Sequence, residues 1–143
     1  MTPEVIASGV TGGQDRPNKP VPHGMKRPEM TAYAIGHIRP ETMNEDVLRY
    51  IEEIQATMDP FEGRFLVHGR QVEVMEGTWP GTIVLIGFPD IEHARGWYAS
   101  QAYQALIPLR ANHIAGDIIL VDGVPTDYDA SKTAASLREA AGL

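Results

Sequence analysis

The sequence predicts an α+β fold of the ferredoxin-like type, with the element order β-α-β-β-α-β and an antiparallel sheet. Two observations support this prediction. Residues 63–88 read as strands separated by glycine-containing turns, which is typical of an antiparallel meander. Stretches with helical spacing of apolar residues lie before and after this meander, and one more apolar strand follows the second of them.

The strand Thr82–Phe88 is apolar on both faces. Val84 and Ile86 point to one side of the strand, and Ile83 and Leu85 point to the other. A sheet with helices on one face and water on the other alternates apolar with polar residues. We therefore expect the second face to meet the same face of a second copy, giving a homodimeric α/β barrel with a cavity between or beside the sheets.

The length of 143 residues suits one domain with tails. Residues 1–29 are rich in proline and glycine and cannot bury enough apolar surface to offset the entropy of ordering them, so we expect them to be disordered. Residues 30–124 form the predicted domain. Residues 125–143 form a C-terminal tail with a weak helix, which we predict over Ala130–Ala141.

The composition excludes several classes of function. The net charge of -7 and the lack of a basic stripe with interleaved aromatic residues disfavour nucleic-acid binding. The apolar runs are far shorter than the roughly 20 residues that a membrane helix needs, and no secretory signal is seen. The absence of cysteine excludes disulfides and thiolate chemistry, and fits a cytoplasmic location.

Each element of the domain has its own justification. The alternating stretch Thr31–Arg39 is predicted as the first strand, with small residues on the side where helices pack. A helix is predicted over Glu41–Met58, with Asn44 or Thr42 as its N-cap. The meander comprises strands at Arg64–Val67, Gln71–Glu76 and Thr82–Phe88.

Two helical pieces follow the meander. Ile91–Ala99 begins after an Asp90 cap and is expected to turn Ala94, Trp97 and Tyr98 inward. Ser100 is expected to cap a new piece, Gln101–Ile114, which contains Pro108. Its expected inward residues are Ala102, Leu106 and Leu109. Gly116–Val121 is the last predicted strand.

Residues 63–110 resemble the domain-of-unknown-function family thirteen-thirty. The most specific pieces are Gly63-Arg64-Phe65, the turn at 72–77, and the block of Trp97-Tyr98 with Ser100, Tyr103, Gln104 and Arg110. The resemblance covers about residues 30–123. It implies a dimeric ferredoxin-like fold of the α/β-barrel superfamily, and it implies no reaction.

Five residues are candidates for a site: His37, Arg64, Glu73, Tyr103 and Arg110. His37 is either a general base that faces a cavity or a histidine whose ring is satisfied by backbone or water. Whichever of Glu73 and Glu76 points inward is expected to pair with Arg64 or Arg110; alternatively, the two arginines hold a carboxylate substrate.

The other chemically active side chains are weaker candidates. Trp97 and Tyr98 are expected in the core, Tyr103 at a cavity mouth, and Trp79 in a lid or a dimer contact. A heme-ligand role for His113 is disfavoured, because the sequence indicates no second ligand. The histidines lack paired ligand spacing, so no metal or cofactor is predicted.

The sequence therefore predicts a homodimer that binds a small organic molecule in its barrel. One interpretation adds a cofactor-independent monooxygenase or isomerase reaction. The alternative is a non-catalytic ligand-binding or structural dimer. The ligand and the roles of the two tails do not follow from the sequence.

Overall fold

The computed structural model of the chain describes residues 29–39 and 43–143, and within them the predicted ferredoxin-like fold is confirmed. The predicted N-terminal tail, except Glu29, and the predicted helix residues Glu41 and Thr42 lie outside the described residues. The elements in chain order are β1 (Ala32–Arg39), α1 (Glu45–Met58), β2 (Arg64–His68), β3 (Thr82–Phe88), α2 (Ile91–Ala99), α3 (Gln101–Ala111), β4 (Ala115–Asp122) and α4 (Ala130–Ala140).

The four strands form one antiparallel sheet in the order β2-β3-β1-β4. In the central pair, Ala34 lies opposite Ile86 and Ile35 lies opposite Leu85. The pairing of β2 with β3 shifts register between Phe65 and Val67, which is a β-bulge at one edge of the sheet. The other edge strand, β4, pairs with β1 through eight consecutive residues without a shift.

Helices α1 to α3 cover one face of the sheet, and the core lies between these helices and the sheet. Ala32 and Ala34 of β1 are buried there, as the small residues of this strand indicated. The largest buried side chains are those of Trp97, Tyr103, Phe88 and Met58. Trp97 Nε1 donates a hydrogen bond of 3.0 Å to Thr57 Oγ1, so the buried indole N–H is satisfied.

All four main helices begin at an N-cap side chain. The caps are Asn44, Asp90, Ser100 and Asp129, each of which accepts a hydrogen bond from a backbone N–H of its own helix. Because Ser100 has an extended backbone, α3 starts again in a new helical phase after α2.

That change of phase corrects one prediction. The inward positions of α3 are Tyr103, Leu106 and Arg110, while Ala102 is exposed and Leu109 is half-buried. The predicted stripe was therefore wrong at Ala102, where the restarted helix faces solvent.

Residues 71–76 are a second correction, because they do not form the predicted strand. A middle strand would have to lie between β2 and β3. These two strands pair directly with each other, so residues 71–76 have no strand beside them to bond to. Residues 69–81 instead form a loop, named here the β2–β3 loop. The loop is closed at its base by Gly69 N–H donating to Ile83 O at 3.2 Å.

The second face of the sheet is named here the open face. It presents Tyr33 and Ile35 of β1, Ile83 and Leu85 of β3, and Ile119 and Val121 of β4. The first four are half-buried, while Ile119 and Val121 are 54% and 40% exposed. No helix among the described residues is both long and apolar enough to cross a membrane.

Candidate functional site

The open face ends in a polar network around His37. His37 Nε2 donates to the backbone oxygen of Pro80 at 2.5 Å, and its Nδ1 accepts from Arg39 Nη1 at 3.2 Å. Arg39 also donates to Asp117 Oδ2 at 2.8 Å. Because Pro80 O only accepts, these contacts correspond to a neutral imidazole with its proton on Nε2. Both ring nitrogens are engaged within the protein.

Asp117 completes this network from the neighbouring strand. It pairs directly with His37 in the β1–β4 register. The hydrogen bond from Arg39 is the main cause that lowers the pKa of Asp117. The carboxylate therefore stays ionised at neutral pH and keeps Arg39 oriented toward the imidazole.

Trp79 lies over the same end of the open face. Its indole stacks on the His37 ring with centroids 4.3 Å apart and is 41% exposed. Gly81, two residues later, approaches β1 so closely that a Cβ there would lie 2.1 Å from Ile38 O. The β2–β3 loop is thus fixed to β1 at both residues, and the role of Trp79 as a lid or a dimer contact stays a prediction.

An open recess of about 350 Å³ lies between this loop and the open face. Its volume is at the lower end of the range for ligand sites. The lining residues are mostly apolar: Val72, Val74, Met75, Thr78, Trp79 and Ile83, with the acidic Glu73 and Glu76.

Glu73 and Glu76 are both exposed. The prediction that one of them pairs with Arg64 or Arg110 is wrong among the described residues, whose ion pairs include neither glutamate. The reason is that residues 71–76 leave the sheet as a loop. A glutamate in that loop points into the recess instead of into a protein interior.

Arg64 lies at the opposite end of the open face from His37. It pairs with Gly87, which in turn pairs with Tyr33, so the three share one row. The Nε of Arg64 is buried and has no hydrogen-bond partner among the described residues. His37 lies on β1, four residues or about 14 Å along the strand from Tyr33. Because β1 is two strands from β2, His37 is also displaced from Arg64 by about 10 Å across the sheet. A compact ligand therefore contacts one of the two residues and not both.

Tyr103 and Arg110 lie on the helix side of the sheet and not at the open face. The Tyr103 hydroxyl is 2.7 Å from that of Tyr50, and the Arg110 guanidinium lies 5.4 Å from the centre of the Tyr50 ring. Tyr103 is 1% exposed, so the expectation that its hydroxyl lies at a cavity mouth is wrong. Its ring packs against Trp97 within the core.

The titration of this cluster follows from its burial. Burial raises the pKa of Tyr50 far above that of a free tyrosine, and the nearby Tyr103 hydroxyl adds to the effect. Burial alone lowers the pKa of Arg110, but the oxygens of the two tyrosines outweigh it and raise that pKa. The cluster therefore contains a buried cation beside the Tyr50 ring, which suits a structural role.

The other histidines that the structure describes, His68, His93 and His113, contact acidic side chains or an aromatic ring. His113 Nε2 lies 3.1 Å from Asp46 Oδ2 and does not join Arg110 in a site. His68 stacks on Phe65 at 4.1 Å, and burial lowers its pKa. Among residues 29–39 and 43–143, no three His, Asp or Glu side chains converge as metal ligands would.

Only part of this site follows from sequence reasoning. The contact of His37 with the backbone oxygen of Pro80 agrees with the second interpretation above, a ring satisfied by backbone or water. Its contact with Arg39 was missed, although both residues share a strand face. The recess was missed because residues 71–76 alternate like a strand. Tyr50 was also missed, since its partner Tyr103 is 53 residues away in sequence.

Comparisons with known proteins identify a family and a fold. The family model described as "Domain of unknown function (DUF1330)" matches residues 31–124. No curated protein matches this chain. A crystal structure of a protein of unknown function from Rhodopseudomonas palustris superposes with a TM-score of 0.52 at 14% identity, covering 87% of this chain and 95% of that one.

Two enzymes with weaker superpositions are also similar. SnoaB, a cofactor-independent oxygenase from Streptomyces nogalater, has a TM-score of 0.48 and 12% identity, covering 71% of this chain and all (100%) of its own. An antibiotic biosynthesis monooxygenase has a TM-score of 0.42 and 26% identity, covering 68% of this chain and 100% of its own. At these scores the likeness does not indicate a reaction.

Proposed function

Since the chain belongs to the DUF1330 family, which has no assigned reaction, we propose from its own geometry that it binds a small organic molecule. The molecule has an apolar body and an acidic group, and it lies between the open faces of two copies of the chain. The observation that supports this most is an apolar, half-exposed sheet face with Arg64 at its border. Among the described residues the buried Nε of Arg64 has no hydrogen-bond partner.

The apolar face requires a cover. Burying one Ile or Leu side chain fully stabilises a protein by about 1.5–3 kcal/mol, and contiguous exposed apolar patches are typical of interaction sites. Ile119 and Val121 are 54% and 40% exposed in the single chain, and Leu66 on β2 is 40% exposed. A second copy and a ligand together would remove these side chains from water.

Arg64 supplies the expected specificity for an acid. Its guanidinium offers several N–H donors in a planar fork that matches a carboxylate. No ion pair among the described residues includes Arg64, and its Nε is buried without a hydrogen-bond partner. A buried donor left unpaired costs about 1–3 kcal/mol, so a carboxylate bound here would gain free energy.

His37 favours binding over acid–base catalysis. A monooxygenase or isomerase without a cofactor requires a group that accepts a proton from the substrate. The Nδ1 of His37 accepts from Arg39 and its Nε2 donates to Pro80, so neither nitrogen is available as a base. We therefore infer a binding protein in which Arg64 contacts the ligand, while His37 fixes the β2–β3 loop at the other end of the open face.

Native mass spectrometry of the purified full chain tests this proposal, since it reports the number of subunits and any bound molecule together. A titration with an anilinonaphthalene sulfonate, an apolar anion, then measures the site. We expect a dimer, and binding that weakens about tenfold in Arg64→Gln, the loss of one charged hydrogen bond of about 1.5 kcal/mol.

A matched control is Arg95→Gln, because Arg95 pairs with Glu92 on the exposed side of α2. This variant should bind the probe like the native chain. A lone subunit at micromolar concentration would overturn the pairing of open faces. Equal probe affinity in the Arg64 and Arg95 variants would overturn the assignment of Arg64.

A further inference from the structure

The C-terminal helix α4 has an apolar stripe that no other described residue covers. Every residue from 124 to 143 is exposed. The stripe consists of Ala134, Leu137 and Ala141 at helical spacing, and Leu137 is 66% exposed. An isolated helix of 11 residues is marginal in water, so its stability calls for packing against another surface.

The recess under the β2–β3 loop is a second uncovered apolar surface in the same chain. Met75 is 86% exposed, and Val74 and Trp79 are 48% and 41% exposed. The charged side chains that line the recess are Glu73 and Glu76, both acidic. A complementary partner is thus apolar, narrow and flanked by a cation.

The helix α4 has these properties. Arg138 follows Leu137 and lies at the border of the stripe, about 100° further around the helix. Lys132 and Glu139 lie on the opposite side. We propose that α4 of one copy docks in the recess of a second copy, with Leu137 against Met75 and Arg138 near the two glutamates.

The point where α4 leaves the sheet favours a second copy as the occupant. Gly123 N–H donates to Thr31 O at 2.7 Å, which fixes the chain at the Tyr33 end of the open face. The recess lies at the His37 end, four residues or about 14 Å along β1. In a dimer whose twofold axis runs across the strands, the Tyr33 end of one open face lies over the His37 end of the other.

This inference rests on the pairing of two copies proposed above, and it adds a residue of the partner to the site. The docked helix would close the end of the ligand site at Trp79. The segment that follows residue 124 lies outside the match to the family model, so this closure would be an addition of this chain to the family domain.

Cross-linking between two single-cysteine chains tests the inference, and the native chain has no cysteine to interfere. Met75→Cys in one full-length chain is mixed with Leu137→Cys in a second chain that is distinguishable by mass, and a short bismaleimide is added. We expect the mixed covalent dimer. The matched control replaces Leu137→Cys by Ala135→Cys, which lies outside the stripe, and should give about tenfold less product, equivalent to about 1.4 kcal/mol.

The other outcomes are equally decisive. Equal yields from the two mixtures, or no mixed product, would overturn docking on a second copy. A third sample carries Met75→Cys and Leu137→Cys in the same chain. If only this sample reacts, and the cross-link forms within one chain, the helix covers its own recess and the inference is wrong.

A charge variant separates this inference from the proposed function. Leu137→Glu places a carboxylate against Glu73 and Glu76. We therefore expect Met75→Cys to cross-link to a chain with Ala134→Cys, and we expect that cross-link to be lost when the second chain also carries Leu137→Glu. If the protein is a dimer that binds the anionic probe, but the cross-link between positions 75 and 134 does not form even with Leu137 intact, only the docking of α4 is refuted. A native chain that is a lone subunit refutes both proposals.

Discussion

The imidazole of His37 and the indole of Trp79 stack at a centroid distance of 4.3 Å, and this contact fixes the β2–β3 loop to the first strand. The hydrogen bond from His37 to Pro80 O lies beside it. Together they explain how a loop of mostly exposed residues keeps one position over the open face. The ring thus positions the loop at this end of the open face.

The first prediction concerns this contact. His37→Ala removes one hydrogen bond and one ring stack, each of which contributes about 1 kcal/mol, so the free energy of unfolding should fall by roughly 1–2 kcal/mol. Amide hydrogen exchange should increase selectively in residues 69–81. The variant His113→Ala, which removes an exposed contact to Asp46, is the control. Unchanged loop exchange in His37→Ala would contradict the role of His37.

Two glycines of the β2–β3 loop form a matched pair for a second prediction. Both have a positive φ, 98° at Gly81 and 79° at Gly77. A Cβ at Gly81 would meet Ile38 O at 2.1 Å, whereas nothing lies within 4 Å of one at Gly77. Gly77→Ala should therefore cost only the backbone strain of about 1–2 kcal/mol, and Gly81→Ala clearly more. Urea unfolding measures both, and equal losses would show that Gly81 is not confined.

The buried hydrogen bond between Trp97 and Thr57 gives a third prediction. Thr57→Val keeps the shape of the side chain but leaves the indole N–H without its partner, so unfolding free energy should fall by about 1–3 kcal/mol. Thr57→Ser keeps the hydroxyl and should lose clearly less. If denaturant midpoints show the two variants to be equally stable, the hydroxyl does not satisfy Trp97.

The pair of Tyr50 and Tyr103 gives a fourth prediction. Their hydroxyls are 2.7 Å apart, so a double-mutant cycle of Tyr50→Phe and Tyr103→Phe should yield a coupling free energy of about 1 kcal/mol. Additive losses would contradict a direct hydrogen bond. Because burial raises the folded-state pKa of Tyr50, the unfolded chain ionises first. Stability should therefore decline as the pH rises through the ordinary tyrosine pKa of about 10, and less so in Tyr50→Phe.

The fifth prediction concerns two histidines with opposite shifts. Burial lowers the pKa of His68 from 6.5, so the unfolded chain binds a proton more readily there, and stability is lost as the pH falls below 6.5. The hydrogen bond to Asp90 raises the pKa of His93, with Glu62 adding to it, so its contribution is present in acid and lost as the pH rises above 6.5.

Thermal unfolding between pH 5 and pH 8 separates the two effects. His68→Phe keeps the stack on Phe65 and should reduce the loss of stability in acid. His93→Gln should instead deepen that loss, since it removes the residue that is stabilising when protonated. Parallel pH profiles for the native chain and His68→Phe would contradict the burial of His68.

Local sequence patterns predicted most of the fold. The caps Asn44, Asp90, Ser100 and Asp129 act on backbone groups two or three residues away, so each helix start follows from its immediate neighbours. The alternation along Thr82–Phe88 predicted that Ile86 and Phe88 share one face of the strand, and both are buried in the core. These features depend on little beyond the local chain.

The parts that failed depend on distant neighbours. Residues 71–76 alternate like a strand, yet β2 pairs directly with β3, which leaves no place between them for a middle strand of the meander. Arg110 reads as a ligand-binding cation, yet the helix restarted at Ser100 turns it toward Tyr50. The site residues Tyr103 and Arg110 were therefore predicted to share a cavity with His37 and Arg64, while the sheet separates them.

The bulge in β2 makes the two edges of the sheet unlike. An open-ended fibre requires every chain to offer a regular ladder on both sides, so that each added copy presents a fresh template. Here β4 offers a regular edge of eight residues, and β2 offers five residues broken by a register shift. Lateral growth through β4 would stop after two chains, because each would then present only its irregular side. The sequence thereby limits its own tendency to polymerise.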